Sequence, residues 1–165
     1  MSKREDIMQA AMNGDAKSVQ ACLAADGSLA GAYSEDGWTA LHLVAYFGHL
    51  EAALVLLDHG ADPEVRSRNR MENTPLHAAV ANRQVAAARL LLERGADVNA
   101  VQSGGWTALH EAAMLGDAGM VTLLLERGAD RAAQKDDGLT PLDLARENGH
   151  DAVIALLPGQ ADGNG

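Results

Sequence analysis

Six histidines, one cysteine and a recurring aspartate are the side chains of this sequence best suited to chemistry. His42, His77 and His110 each stand three residues after a threonine, Thr39, Thr74 and Thr107. Equivalent positions on neighbouring packed helices lie about 8 to 10 Å apart, whereas one metal needs every imidazole nitrogen at about 2 Å. These three histidines therefore cannot share an ion and read as structural. His49 and His150 each follow a glycine and read as surface or capping groups, while His59 precedes Gly60 at a helix end, where a positive charge suits the dipole. Cys22 aligns with Leu56 inside an apolar stripe, so the expectation is a buried, inert thiol. A single cysteine forms no internal disulfide and no four-thiolate zinc site. Asp62, Asp97 and Asp130 recur one per unit, as turn-stabilising residues do. No serine sits in a Gly-x-Ser-x-Gly elbow, and no glycine-rich phosphate loop precedes a helix. The expectation is a non-enzyme with no catalytic residue, no metal and no cofactor.

The elements that position these residues are announced by a repeat. Gly37-Trp38-Thr39-Ala40-Leu41-His42 returns as Asn73-Thr74-Pro75-Leu76-His77, as Gly105-Trp106-Thr107-Ala108-Leu109-His110 and as Gly138-Leu139-Thr140-Pro141-Leu142-Asp143. Gly-Ala-Asp recurs at 60–62, 95–97 and 128–130, its glycine always 21 residues after the threonine. Threonine is a good N-cap, and Pro75 and Pro141 suit the first helical position. Gly48, Gly116 and Gly149 stop that first helix as left-handed caps. A second helix follows, with Leu54, Leu56 and Leu57, then Ala88, Leu91 and Leu92, then Val121, Leu124 and Leu125 at helical spacing, ended by Gly60, Gly95 and Gly128. About a dozen aperiodic residues then lead back through a hairpin-like turn. One helix pair cannot bury its stripe alone; stacked pairs can.

The period, Thr-Pro-Leu-His and Gly-Ala-Asp together resemble the ankyrin repeat family over residues 5 to 157. The resemblance implies an all-α solenoid of stacked helix–turn–helix units with hairpin-like loops, about five repeats including two caps. The expected organisation is a single domain over 1–158: an N-terminal capping repeat at 5–36, internal repeats at 37–71, 72–104 and 105–137, and a truncated C-terminal capping repeat at 138–158. Residues 159–165 read as a disordered tail. In the family the histidine of Thr-Pro-Leu-His ties the turn to the helix, and partners usually dock on the concave side formed by hairpin tips and first helices. The function implied is non-catalytic protein–protein binding.

In a repeat protein, function is to be sought where the repeats differ. All five aromatics fall at or beside the tips and first-helix ends: Tyr33, Trp38, Tyr46, Phe47 and Trp106. Aromatic residues and methionine are enriched in interface cores. Tyr46 and Phe47 are therefore read as partner contacts, with Met71, Asn82, Met114 and Leu115 in the same register. Trp38 and Trp106 have two readings, packing on an adjacent hairpin or meeting a partner. The loop 65–72 is two residues longer than its counterparts and carries Arg66, Arg68 and Arg70. It is either a solvated loop or a basic finger for a partner's carboxylates or a phosphorylated segment. Ala81-Asn82-Arg83-Gln84 replaces a glycine stop, with Arg83 placed to suit the helix dipole. The alternatives are a peptide or small-molecule reader using the groove near Trp38, Phe47 and the arginine loop, and a self-assembling accessory module pairing through Val153, Ile154 and Leu157.

Composition bounds the partners. The 165 residues carry 13 Lys plus Arg against 23 Asp plus Glu, a net charge of −10, which repels nucleic-acid phosphates and anionic membrane surfaces. Alanine outnumbers leucine 32 to 22, which favours thin, closely stacked helices over one deep core. No apolar run reaches the length of a signal peptide or a membrane span. The expectation is a cytoplasmic monomer with an unidentified protein partner, no nucleic acid and no membrane. The alanine-rich composition also fits a bacterial source.

Overall fold

The computed structural model describes residues 2–158, so the expected tail at 159–165 lies outside the described residues. The chain divides into two compact units, Met1–Asp97 and Val98–Gly165. The first unit holds α1 (Lys3–Asn13), α2 (Ala16–Ala25), a 3-10 turn (Gly27–Gly31), α3 (Ala40–Phe47), α4 (Leu50–Asp58), α5 (Pro75–Ala81) and α6 (Val85–Glu93). Its first helices α1, α3 and α5 pack side by side, as do its second helices α2, α4 and α6. The second unit holds β1 (Val101–Gln102), β2 (Trp106–Thr107), α7 (Ala108–Leu115), α8 (Ala118–Glu126), α9 (Pro141–Glu147) and α10 (Asp151–Leu156). There α7 packs on α9 and α8 on α10. The fold is all-α, with helix pairs stacked as the resemblance implied. No helix among the described residues is long and apolar enough to cross a membrane.

Each first helix starts with the same reciprocal cap. Thr39 Oγ1 accepts from His42 N, and Thr39 N donates to His42 Nδ1, both at 3.3 Å. Thr74 with His77 and Thr107 with His110 repeat the arrangement. A ring whose Nδ1 accepts must carry its proton on Nε2, and that N–H reaches the next hairpin. His42 Nε2 donates to Asn73 O at 2.8 Å and His110 Nε2 to Leu139 O at 2.9 Å. One imidazole thus caps its own helix and ties down the following turn. Asp143 takes the cap alone, accepting from Thr140 N at 2.9 Å, and offers no N–H to pass on.

The hairpins are short. Val101 pairs with Thr107 and Gln102 with Trp106, antiparallel, and Tyr33 bridges Thr39 in the first unit. Asp62 Oδ1 accepts from Glu64 N and Asp130 Oδ1 from Ala132 N, the local turns expected of the recurring aspartates.

The core is alanine and leucine. Ala11, Ala45, Ala79 and Ala113 are buried and let helices approach closely, while Leu41, Leu56, Leu76, Leu91, Leu109 and Leu124 fill between them. Three expectations need correction. Leu54 is exposed, on the far side of α4 from the stripe formed by Ala53, Leu56 and Leu57. Cys22 is only half-buried and faces an open cleft with Asp6 and Ser18; partial burial first, then Asp6, raises its thiol pKa. Val153 and Leu157, expected at an apolar edge, are buried within their own unit, while Ile154 beside them is half-buried.

Candidate partner-binding site

The first unit gathers Trp38, Tyr46, Phe47 and Met71 around one groove of about 410 Å³, whose lining also includes Met12, Asp36 and Asn73. Local structure fixes each of them. Ser34 N donates to Trp38 O at 2.7 Å and Trp38 N to Ser34 Oγ at 3.1 Å, closing the tip that carries the indole. The Trp38 ring meets His42 edge-on with centroids 5.6 Å apart. Tyr46 and Phe47 end α3, their rings perpendicular at 5.1 Å, and Phe47 stacks on His49 at 6.0 Å. They stay 41% and 43% exposed although they are among the largest apolar side chains of the unit. Gly48 behind them is left-handed, and a Cβ there would collide with Gln84 Oε1.

The arginine loop is a hydrogen-bonded structure. Ser67 N donates to Asn73 O at 2.8 Å and Arg68 N to Gly37 O at 2.8 Å. Ser67 Oγ donates to Asn69 Oδ1, which also accepts from Met71 N at 3.0 Å. Tyr33 Oη donates to Arg66 O at 2.8 Å, and Arg66 Nη1 donates to Glu72 O at 3.0 Å. The Arg68 guanidinium lies 4.0 Å from the Tyr33 ring centroid. Arg70 is exposed. None of the three arginines lines the groove.

Asn82 has a structural task. Its Nδ2 donates to Tyr46 O at 2.8 Å. His49 Nε2 does the same for Met12 O at 2.9 Å, and His150 Nε2 for Met114 O at 2.8 Å. The neighbouring Arg83 takes the left-handed φ of +59° that glycine holds in the other repeats. His59 Nδ1 lies 2.8 Å from Val55 O and its Nε2 lies 3.1 Å from Gln20 Nε2, which ties the end of α4 to α2.

In the second unit Trp106 is already engaged. Lys135 Nζ sits 4.5 Å from its ring centroid and 2.8 Å from Asp137 Oδ2, which holds the Asp137 carboxyl below the usual range. Trp106 thus carries a cation from the following hairpin on its ring. Met114 and Leu115 end α7, both half-buried. Two features escaped the sequence reading, at the tip residue Asn73 and at Glu111. Asn73, 2% exposed, has an Oδ1 that accepts no hydrogen bond. Glu111 has an equally unpartnered Oε1, and burial pushes its pKa up to about 7. Both carried a signal: Asn73 stands where Trp38, Trp106 and Leu139 stand, and Glu111 where Leu43 and Leu144 stand. Among the described residues no group of three or more His, Cys, Asp or Glu is placed to hold a metal.

The ankyrin repeat model, three copies in length, matches residues 7–102 and 95–164. A transient receptor potential cation channel subfamily A member 1 homolog of Caenorhabditis elegans is 36% identical over 110 residues, 67% of this chain and 9% of that protein. A probable E3 ubiquitin-protein ligase of Oryza sativa subsp. japonica is 39% identical over 113 residues, 67% of this chain and 25% of that protein. A probable 26S proteasome regulatory subunit p28 of Saccharomyces cerevisiae is 32% identical over 85 residues, 51% of this chain and 37% of that protein. The chain thus spans a minor part of each of these relatives, so they share its repeats and not a whole architecture. With the family model covering nearly all of the sequence, and the capped helix pairs that the repeat demands in place, this chain belongs to the ankyrin repeat family.

Proposed function

We propose that this chain binds a protein partner without catalysis, through its hairpin tips and first-helix ends, and that the Trp38, Tyr46, Phe47 and Met71 groove is the centre of the contact. Ankyrin repeats generally mediate protein–protein interaction. The observation that carries the reading is the exposed, perpendicular Tyr46–Phe47 pair beside that groove. Aromatic side chains standing in water beside an apolar groove are the usual material of a binding hot spot. The loop is held in place before a partner arrives, which lowers the entropy lost on docking. Arg66, Arg68 and Arg70 then meet carboxylates at the rim, and Asn82 holds the Tyr46 turn in place; in the second unit, taken by itself, Trp106, Met114 and Leu115 are proposed as partner contacts. The partner is a protein, neither nucleic acid nor membrane, and the chain acts as a cytoplasmic monomer; the net charge of −10 and the single free thiol support this setting.

A photo-crosslinking residue placed at Phe47 tests the face. It should capture the partner, whereas the same residue at Leu54, exposed on α4, should not. Equal capture at both positions removes the face from the proposal. A second reading, a reader of free peptides or small molecules, is favoured by the groove volume, which falls in the range of ligand pockets. Thermal stabilisation by a peptide or metabolite, with no protein captured at Phe47, would select it.

A further inference from the structure

We infer that the Trp38 groove receives a basic side chain, lysine or arginine, from the partner; this rests on the reading of that groove as the partner site. The chain itself shows how an equivalent indole is occupied. Trp106 holds the same repeat position as Trp38, and Lys135 from the following hairpin lies over its ring while bonding Asp137. The Lys135 amide donates back across its turn to Leu139 O. In the hairpin after Trp38 the residue making that bond, to Asn73 O, is Ser67. A serine is too short to cover an indole, and this one already donates to Asn69 Oδ1 and accepts from Asn73 N. Among the described residues no cation lies on the Trp38 ring.

The polar groups of the groove ask for the same thing. Asp36 brings a carboxylate that, among the described residues, makes no hydrogen bond or ion pair. Asn73 brings a buried amide oxygen with no donor. The N–H of His42 is taken by Asn73 O. Among the described residues no lysine or arginine lines the groove. Aromatic rings, a free carboxylate and an unmet acceptor together suit a group that is cationic and donates only. Lysine and arginine heads are such groups, and their aliphatic stems suit the apolar wall. Arg68 over Tyr33 is a second case of a cation placed on a ring in the same unit.

The test uses the intact chain, amide NMR and three probes: N-acetyl-lysine methylamide, N-acetyl-arginine methylamide and the neutral N-acetyl-norleucine methylamide. At least one basic probe should shift the Trp38 indole N–H saturably while Trp106, already covered by Lys135, stays still. Norleucine should bind at least ~5-fold more weakly. Asp36→Asn should weaken the basic probe at least ~3-fold and leave norleucine unchanged. Among the described residues the Asp36 side chain makes no hydrogen bond or ion pair, and its backbone oxygen still accepts from Asn69 Nδ2. Whichever basic probe binds more tightly names the partner residue. Norleucine binding as tightly as the basic probes, an indifferent Asp36→Asn, or no shift of Trp38 by any probe overturns the inference. If that happens while capture at Phe47 persists, the partner site stands with another occupant. Basic probes that bind as expected without capture at Phe47 sink the partner reading, and the inferred source of the side chain with it.

Discussion

His49 Nε2 donates to Met12 O at 2.9 Å, and its ring lies where a Cβ on Gly14 would have to go, 2.5 Å from Nδ1. His150 stands over Gly116 in the same way and donates to Met114 O. The glycine that stops one first helix is therefore the floor on which the next repeat's histidine lies. A residue expected to be a surface or capping group is a staple between repeats.

Gly14→Ala should cost about 3 kcal/mol, the sum of a left-handed backbone penalty and a collision with the imidazole. Gly149→Ala meets the same backbone penalty, at φ +69°, but nothing within 4 Å, and should cost only about 1 kcal/mol. Urea unfolding of the two variants checks this. Equal losses would mean the histidine contact has no weight.

Arg83 holds a left-handed φ of +59° at the place of Gly48, Gly116 and Gly149. Arg83→Gly should raise stability by up to about 1 kcal/mol by relieving that backbone. Asn82→Ala should lower it by about 1 kcal/mol through the lost bond to Tyr46 O. Thermal melts of both variants should move in opposite directions. A fall for both would contradict the assignment of Asn82 and Arg83 as substitutes for the usual staple and stop.

What could be read in advance and what could not divide along one physical line. Thr39, Gly48 and Gly60 act on their own backbone within a few residues, so a cap or a stop announces itself by type and spacing. The covering of Trp106 by Lys135 and the bond from Asn82 to Tyr46 O join residues 29 and 36 apart. Such pairs depend on stacking register, so Trp38 and Trp106, identical by local sequence, came out differently. His59 was read from its place at a helix end, whereas the group its Nε2 meets, Gln20, stands 39 residues away. Cys22 followed the pattern of Leu56, but it lines a cleft with Asp6, Gln9 and Ser18, a grouping that depends on how α1 and α2 pack. Glu111 could have been noticed as the one acid at a position otherwise held by Leu43, Ala78 and Leu144.

Burial pulls the His42 pKa down to about 4 from an ordinary value of about 6.5. A lowered folded-state value favours the neutral ring, so its contribution is complete above about pH 6.5 and is lost as pH falls toward 4. The loss is about 3 kcal/mol. His110 shifts in the same direction, again chiefly by burial. NMR titration should find the His42 midpoint near pH 4; a midpoint near 6.5 would contradict the burial argument.

Glu111 runs the other way. Burial raises its pKa to about 7, so the fold favours the protonated acid. That contribution is complete below about pH 4.5 and lost as pH rises through 7. Glu111→Leu, restoring the residue type of Leu43 and Leu144, should stabilise the chain by about 3 kcal/mol more at pH 8 than at pH 4. Chemical denaturation at the two pH values reads this out, and a gain independent of pH would rule it out.

The central claim is that exposed rings at the end of α3 are there for another molecule. Its most direct measurement is partner affinity for the wild-type chain and for Tyr46→Ala/Phe47→Ala, alongside their melting temperatures. The account predicts a loss of at least about 2 kcal/mol in binding, roughly 30-fold, with the melting temperature little changed. Unchanged affinity, or a loss matched by a collapse in melting temperature, would contradict it.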